Sequence, residues 1–491
     1  MVTIGIDVGT TGVKMLAMDG QGKVLKIVMR EYPLYMEGNW SEQEPEDWWE
    51  QTADGIRELT QAVGEVAAVS FSGQMHGLVL LDENDRVLRR AILWNDQRTQ
   101  EQCDYLNNEI GRDKLLEHTA NIALTGFTLP KILWVKKHEP EIFAKIKKIM
   151  LPKDYIAYKL SGEFATDESD ASGMLLLDVK NREWSKFMMD IAGLKHEQLA
   201  KVYASSAPVG TVTSQAAEKT GLSTSTKVVI GGGDQAVGAV GTGTVKGGMC
   251  SLSIGTSGVV FVSGDNFAVD RSTAGVHSFC HSNGRYHMMG VTLAAAASNT
   301  WWAETVLGTK DYATEQVAIK PEKFGHNTVY YLPYLSGERT PINDPLARGA
   351  FIGMSTSTSR ADMMQAVLEG VAYSLRDCLE VIKDLGTSVE VARIIGGGAK
   401  SPLWCQLMAN VLNLHVDKIN SAEGPAFGAA ILAAVGAGAF ATVEEACDKL
   451  ISVTESFHPD PQVAERYNRH FPVYRSLYQA LASTFKELNG V

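Results

Sequence analysis

From residue 2 to residue 32 the chain reads VTIGIDVGTTGVKMLAMDGQGKVLKIVMREY, an apolar–polar alternation broken twice, by GTTG and by DGQGK. Two glycine-rich breaks between period-two segments predict a meander of three antiparallel strands. The period becomes helical over 45–63, PEDWWEQTADGIRELTQAV, with a proline and acids in its first turn as helix starts prefer. AAVSFSGQMHGLVLLDENDRVL then predicts a strand, a glycine-bounded turn and a second hairpin. Residues 100–165 read as mostly helical, and KVVIGGGDQAVGAVGTG, from 227, as a buried strand running into glycines and a helix.

The second half repeats this scheme. CSLSIGTSGVVFVSGD is strand–turn–strand, VARIIGGGAKSPLWCQLMANVLN is strand–glycines–helix, and 361–385 predicts a long helix. Asp7-Val8-Gly9-Thr10-Thr11-Gly12-Val13 aligns without gaps on Ser253-Ile254-Gly255-Thr256-Ser257-Gly258-Val259, halfway along the 491 residues. Internal repetition on this scale predicts two halves, 1–245 and 246–491, each an α/β unit whose sheet is covered by helices. The site candidates of both halves would then face a shared cleft.

The formal net charge of −12 argues against nucleic acid and anionic membrane as general partners. It leaves phosphate binding open, because loop amides can hold an anion without net positive charge. Six cysteines, at 103, 250, 280, 378, 405 and 447, form no C-x-x-C pair and read as reduced thiols of a cytoplasmic protein. The first residues read as a strand rather than a basic n-region with a cleavage site, which predicts a protein that is not secreted. GPAFGAAILAAVGAGAFATV, 424–443, carries no charge, yet it is mostly Ala and Gly, and it reads as a tightly packed internal helix rather than a membrane span.

Chemistry concentrates in a few short stretches. Successive backbone N–H groups in GTTG and GTSG can form anion-binding concavities, and two of them could hold a polyphosphate from both sides. Only the first copy carries an acid, Asp7, placed to hold Mg²⁺ through water; Ser253 stands at the matching position. Asp234 in GGGDQ lies between strand and helix, where it is either an N-cap or a base for a bound hydroxyl. Gly396, Gly397 and Gly398 precede a Ser401-Pro402 helix start and would let a flat ring or a phosphate approach the backbone. Neither a Walker A loop nor GxGxxG is present, so any ATP site has another architecture. SGQMHG places His76 in a turn, HSFCH with His287 lacks the second cysteine pair of a zinc site, and Trp94-Asn95-Asp96-Gln97-Arg98 could hydrogen-bond a polyol.

At these residues the chain resembles the FGGY carbohydrate kinases. GFTLPKILWVKKH (126–138) and GAFIGMSTSTSRADMMQAVLE (349–369) match the two family patterns, and the likeness runs end to end. The resemblance implies a two-domain actin/Hsp70/sugar-kinase-like fold, with duplicated ribonuclease-H-like domains around a central cleft. The first domain would hold the sugar pocket, the base and one phosphate turn, and the second would hold the other turn and the adenosine site. It implies ATP and Mg²⁺ as cofactors, Asp234 as general base, and Asp7 as catalytic support for the metal and phosphates. Gly9, Thr10, Thr11, Lys14, Gly255, Thr256 and Ser257 would bracket the phosphates, with Gly397 and Gly398 by the adenosine. Gln74, Met75 and His76 would line the sugar pocket with Asp234. The wording of SGQMHG, AILWNDQR, LPKDYI, VHSFCH and LPYLSGERTP implies D-xylulose as the sugar, ahead of ribulose, rhamnulose and fuculose, and a homodimer as the assembly. A polymerising or chaperone-like ATPase would share the fold but would not need SGQMHG or GGGDQ.

Overall fold

The computed structural model describes residues 1–490 apart from Ala274 and Ala422. Its frame is two seven-stranded sheets. In the first, Thr3–Val8 pairs antiparallel with Gly12–Met18, which pairs antiparallel with Val24–Glu31, giving the expected meander. On its other side Thr3–Val8 runs parallel to Ala68–Gly73, and then come Lys227–Val229 and the antiparallel edge strand Pro208–Thr211. The second sheet repeats this order. Met249–Ile254 pairs antiparallel with Gly258–Gly264, which pairs with Tyr286–Thr292, and parallel with Val391–Ile395. His415–Ile419 and the antiparallel edge Val453–Phe457 complete the correspondence. The gapless echo of GTTG in GTSG is therefore the signature of a duplicated sheet, each copy turning at the same strand ends.

Two expectations need adjustment. The segment after SGQMHG does not form a full hairpin: Val79–Leu81 pairs with the distant strand Lys148–Met150, and the isolated bridges Leu81↔Val87 and Leu78↔Ile92 reach back across it. The charge-free stretch is a helix only from Gly424 to Ala437. That helix comes from the second half of the chain but packs on the first sheet, where Thr3 Oγ1 donates to the Ala430 carbonyl at 3.2 Å. It also packs against the helix Asp234–Gly241, sharing a buried apolar cluster of Leu16, Val237, Val240, Phe427 and Ile431. Small residues are required there because backbone meets backbone. A Cβ on Gly428 would fall inside the van der Waals radius of the Val237 carbonyl oxygen.

Gly428→Ala should consequently destabilise the protein. Alanine contributes about 1 kcal/mol of helix propensity over glycine. A rigid carbonyl cannot yield without separating the two helices, and such overpacking typically costs about 1–3 kcal/mol or more. The expected result is a lower thermal midpoint in calorimetry; an unchanged midpoint would mean that the two helices can part freely.

Among the described residues no helix is long and apolar enough to cross a membrane.

Candidate active site

Strand register assembles the site. Asp7 lies opposite Ser72 on the neighbouring parallel strand, and Gly232 and Gly233 pair with Ser72 and Gly73. Asp7, the Gln74-Met75-His76 turn and Asp234 thus leave the carboxyl ends of three adjacent strands at one level, the usual location of ligand sites in open α/β sheets. In the second sheet Ser253 pairs with Ile395, so the Gly255-Thr256-Ser257 turn and the Gly396–Gly398 loop also leave neighbouring strand ends together.

The structure decides the role of Asp234 as an end cap. Gly233 is the N-cap of the helix Asp234–Gly241, with no side-chain cap, and Asp234 is its first residue. Its carboxyl group therefore does not serve as the N-cap of that helix. Burial pushes its pKa up to about 7, the neighbouring Asp7 charge adds to the rise, and hydrogen bonds from Gln235 oppose it. Burial also raises Asp7, against a lowering by Ser72 and by the Lys14 charge. Two acids on either side of the strand Ala68–Gly73, one raised by the other's charge, make a site short of positive charge. Lys14 does not neutralise it directly, since its Nζ pairs with Glu423 at 3.2 Å. Such residues fit a divalent cation held by one carboxylate, phosphate oxygens and water. Among the described residues no cluster of three or more His, Cys, Asp or Glu side chains forms a closed metal cage.

The Gly9–Gly12 turn is tethered by residues that short motifs did not reveal. Gly9 N–H donates to the Asp7 and Gly12 carbonyls at 3.2 and 3.0 Å, closing the turn. Tyr32 donates its hydroxyl to the Gly9 carbonyl, and Gln43 donates to the Thr10 carbonyl at 2.7 Å. Thr10 Oγ1 donates to Gln74 Oε1 at 3.1 Å and accepts from the Trp94 indole at 2.9 Å. Gln74 Nε2 in turn donates to Gln43 Oε1 at 3.0 Å, which also accepts from Trp48 at 3.1 Å. Both ends of the Gln74 amide are thus engaged with the protein, and its side chain supports the Gly9–Gly12 turn. In the second turn the Gly255 and Thr256 carbonyls accept from Ala296 and Ala295 at 2.8 and 2.9 Å, which seats the following helix. Thr11 is exposed on the first turn and Ser257 on the second.

Met75 and His76 lie against Gly173. His76 adopts a left-handed conformation, φ 70°, and its Nδ1 lies 2.7 Å from the Gly173 carbonyl. Burial holds its pKa down to about 3, so the ring is neutral, Nδ1 carries the proton and Nε2 is left as an acceptor. The strained turn is held from below by Lys131, whose Nζ donates to the His76 and Gly126 carbonyls at 2.8 and 2.7 Å. Thr128 donates to the same His76 carbonyl at 3.1 Å. Both residues belong to the stretch 126–138 that carried the family likeness, but only the folded chain gives them this task.

The Trp94–Arg98 stretch divides. Arg98 and Asp96 form a buried pair, Nη2 to Oδ2 at 2.7 Å, with the guanidinium 4.0 Å from the Trp40 ring. Trp94 faces out, 47% exposed, from its bond to Thr10. In HSFCH, His277 Nε2 accepts from Arg339 of the GERTP loop at 2.9 Å, and its Nδ1 lies 3.2 Å from Asn121 Oδ1. His281 lies 2.9 Å from the Thr244 carbonyl. The GERTP loop therefore reaches His277, whose ring lies beside Phe127 of the first half. Glu338 anchors it, accepting from Thr292 Oγ1 at 2.5 Å and from Leu293 N–H at 2.9 Å.

A cavity of about 610 Å³ opens beside Gly397, Gly398 and Ser401, bounded across by Asn299, Gln316 and Tyr312. The three glycines of the 396–398 loop serve different ends. Gly396, at φ +88°, and Gly398 have no room for a side chain because Ile254 lies against them. A Cβ on Gly397 would meet nothing closer than the Ile254 carbonyl oxygen at 3.9 Å. Packing within the protein leaves that position open, so a flat ligand can approach the backbone there. Ser401 caps the next helix by accepting from Trp404 N–H at 3.1 Å, as its Ser-Pro start predicts.

Residues 2–241 match the N-terminal domain, and residues 250–437 the C-terminal domain, of the FGGY family of carbohydrate kinases. A xylulose kinase of Bacillus subtilis (strain 168) is 41% identical, over 97% of this chain and 96% of the relative. Among solved structures, the ligand-bound xylulose kinase from Lactobacillus acidophilus superposes with a TM-score of 0.93 at 27% identity, covering 99% of both chains. The gluconate kinase from the same organism superposes with the same TM-score, identity and coverage. The chain belongs to the FGGY family of carbohydrate kinases, and it has the two-domain fold and the ATP-dependent sugar-phosphorylating class of activity that define that family.

Proposed function

We propose that the protein phosphorylates the terminal 5-hydroxyl of D-xylulose, with ATP as donor and Asp234 as general base. The observation that carries the mechanism is the buried, raised carboxyl group of Asp234 at the start of its helix, within the field of the Asp7 charge and one residue from Gly233, against which Met75 lies. In the proposed step the sugar hydroxyl gives its proton to Asp234 as its oxygen bonds to the γ-phosphorus. The bond from that phosphorus to the β–γ bridging oxygen breaks, and ADP leaves. Aspartate is a sufficient base because proton transfer is late in a loose phosphoryl-transfer transition state. The Gly9–Thr11 and Gly255–Ser257 turns would bind the phosphates from either side, and the cavity at Gly397 would take the adenosine. Asp7 would hold Mg²⁺, which when bound supplies neutralisation of phosphate charge. His76 Nε2 would accept a hydrogen bond from a sugar hydroxyl, and Lys131 would fix that ring by holding its backbone.

The choice of D-xylulose rests on the 41%-identical relative and its full-length coverage. Equal superposition on a gluconate kinase keeps that sugar acid as the second reading. Coupled ADP release across D-xylulose, D-ribulose, D-gluconate and glycerol tests it. D-Xylulose is expected to give the highest kcat/KM by a clear margin; gluconate or another sugar winning would discard the substrate assignment and keep the kinase.

His76→Ala should raise the KM for the sugar about tenfold, the scale of one lost hydrogen bond to a buried neutral partner, while the KM for ATP stays unchanged. Parallel changes in both constants would place His76 outside the sugar pocket.

A further inference from the structure

Behind the site lies a cluster of charges with no access to water. Lys153 Nζ is 3.0 Å from Asp167 and 3.8 Å from Asp170, and it also pairs with Asp154; all four side chains are at most 1% exposed. One cation thus faces three carboxyl groups, and neither oxygen of Asp170 has a hydrogen-bond partner among the described residues. Buried ion pairs seldom stabilise a fold more than apolar residues of similar size would, and an excess of acids makes this one less favourable still. Departures of this kind from good packing gather at functional sites.

The cluster has an outlet. Asp167 Oδ2 accepts from the hydroxyls of both Ser169 and Ser205 at 2.6 Å. Ser169 Oγ, having donated to Asp167, accepts the backbone N–H of Gly233 at 3.1 Å. Gly233 is the residue before Asp234. The approach is close: a Cβ on Gly232 would stand 2.5 Å from the hydroxyl oxygens of Ser169 and Ser282. Four residues beyond Ser169, the Gly173 carbonyl holds His76. The segment Asp167–Gly173 therefore touches the backbone of the base on one side and the sugar-pocket histidine on the other.

We propose that Ser169 is a positioning residue for phosphoryl transfer: its hydroxyl ties the Gly233 N–H to the buried Lys153–Asp167 pair and so fixes where the Asp234 carboxyl group stands. Lys153 acts through Asp167 and Ser169, and none of the three touches substrate. The inference rests on the reading of Asp234 as general base.

The test compares Ser169→Ala with Ser205→Ala. Each removes one hydroxyl donor from the same oxygen of Asp167, but only Ser169 is joined to Gly233. Ser169→Ala is expected to lower kcat about tenfold with the KM for ATP unchanged, since sub-ångström displacement of a reacting group costs rate on at least that scale. Ser205→Ala should keep kcat within about twofold. Hydrogen exchange in peptides spanning 230–241 gives a readout independent of turnover, faster in Ser169→Ala and unchanged in Ser205→Ala. Equal losses of kcat in the two variants, or unchanged exchange at 230–241 in Ser169→Ala, would overturn the inference. An unchanged kcat in Ser169→Ala beside an inactive Asp234→Asn overturns the positioning role alone. Full activity in both Ser169→Ala and Asp234→Asn overturns the base assignment with it.

Discussion

Asp234→Asn is expected to lower sugar-dependent ADP release by about two to four orders of magnitude, the contribution of a positioned general base. The amide is nearly the same size and stands at the same helix start, so ATP should bind as before. The wild-type pH profile carries a second signature of the same group. Burial and the Asp7 charge push the Asp234 carboxyl up to about 7 in the free protein. A base must be ionised to act, and below that pH the protonated fraction grows. The kcat/KM for the sugar should therefore fall about tenfold per pH unit on the acid side, and the remnant activity of Asp234→Asn should lack that limb. An acid limb that survives the substitution would belong to another residue and would remove Asp234 from the mechanism.

Asp7→Asn should cost about two to three orders of magnitude in kcat, comparable to losing a principal electrostatic stabiliser of a transition state. The cause is distinct from that of Asp234→Asn, and two measurements separate them. Replacing Asp7 removes the charge proposed to hold Mg²⁺, so the Mg²⁺ concentration giving half-maximal rate should rise; Asp234→Asn should leave it largely in place. The sign of the pH effect also differs. The Asp7 charge is one of the forces that raise the Asp234 pKa. Without it Asp234 becomes a stronger acid, and the acid limb of the residual activity moves to lower pH. A limb that stays where it was would mean that the two carboxyl groups do not sense each other.

Much of this was legible in the residues. The gapless repeat of GTTG in GTSG foretold the duplicated sheets, because a strand–turn–strand unit is local and its pattern survives in short words. The Ser401-Pro402 start and the long helix Arg360–Asp384 were readable for the same reason. Asp234 was ambiguous in the sequence, since an aspartate before a helix is commonly a cap; the backbone gives the cap to Gly233, and the base role is what the proposed function adds. What could not be read was whatever depends on distant pairing. Tyr32, Gln43 and Trp48 hold the Gly9–Gly12 turn from other elements, and each alone looks like an ordinary core or surface residue. Lys131 sits inside a recognised family pattern, yet its hold on the His76 carbonyl spans 55 positions along the chain. Gln74 belongs to the sugar turn by sequence, but its amide is spent on Thr10 and Gln43. The charge-free stretch after 424 announced tight packing but not its partner, a helix and a sheet from the opposite half.

The most direct test is transfer of labelled γ-phosphate from ATP to D-xylulose, measured side by side for the wild-type protein and Asp234→Asn at saturating Mg²⁺. The wild type should accumulate labelled sugar phosphate in step with ADP, and the variant should bind ATP and accumulate almost none. Equal transfer by the two proteins, or ADP release with the label found only in inorganic phosphate, would contradict the account.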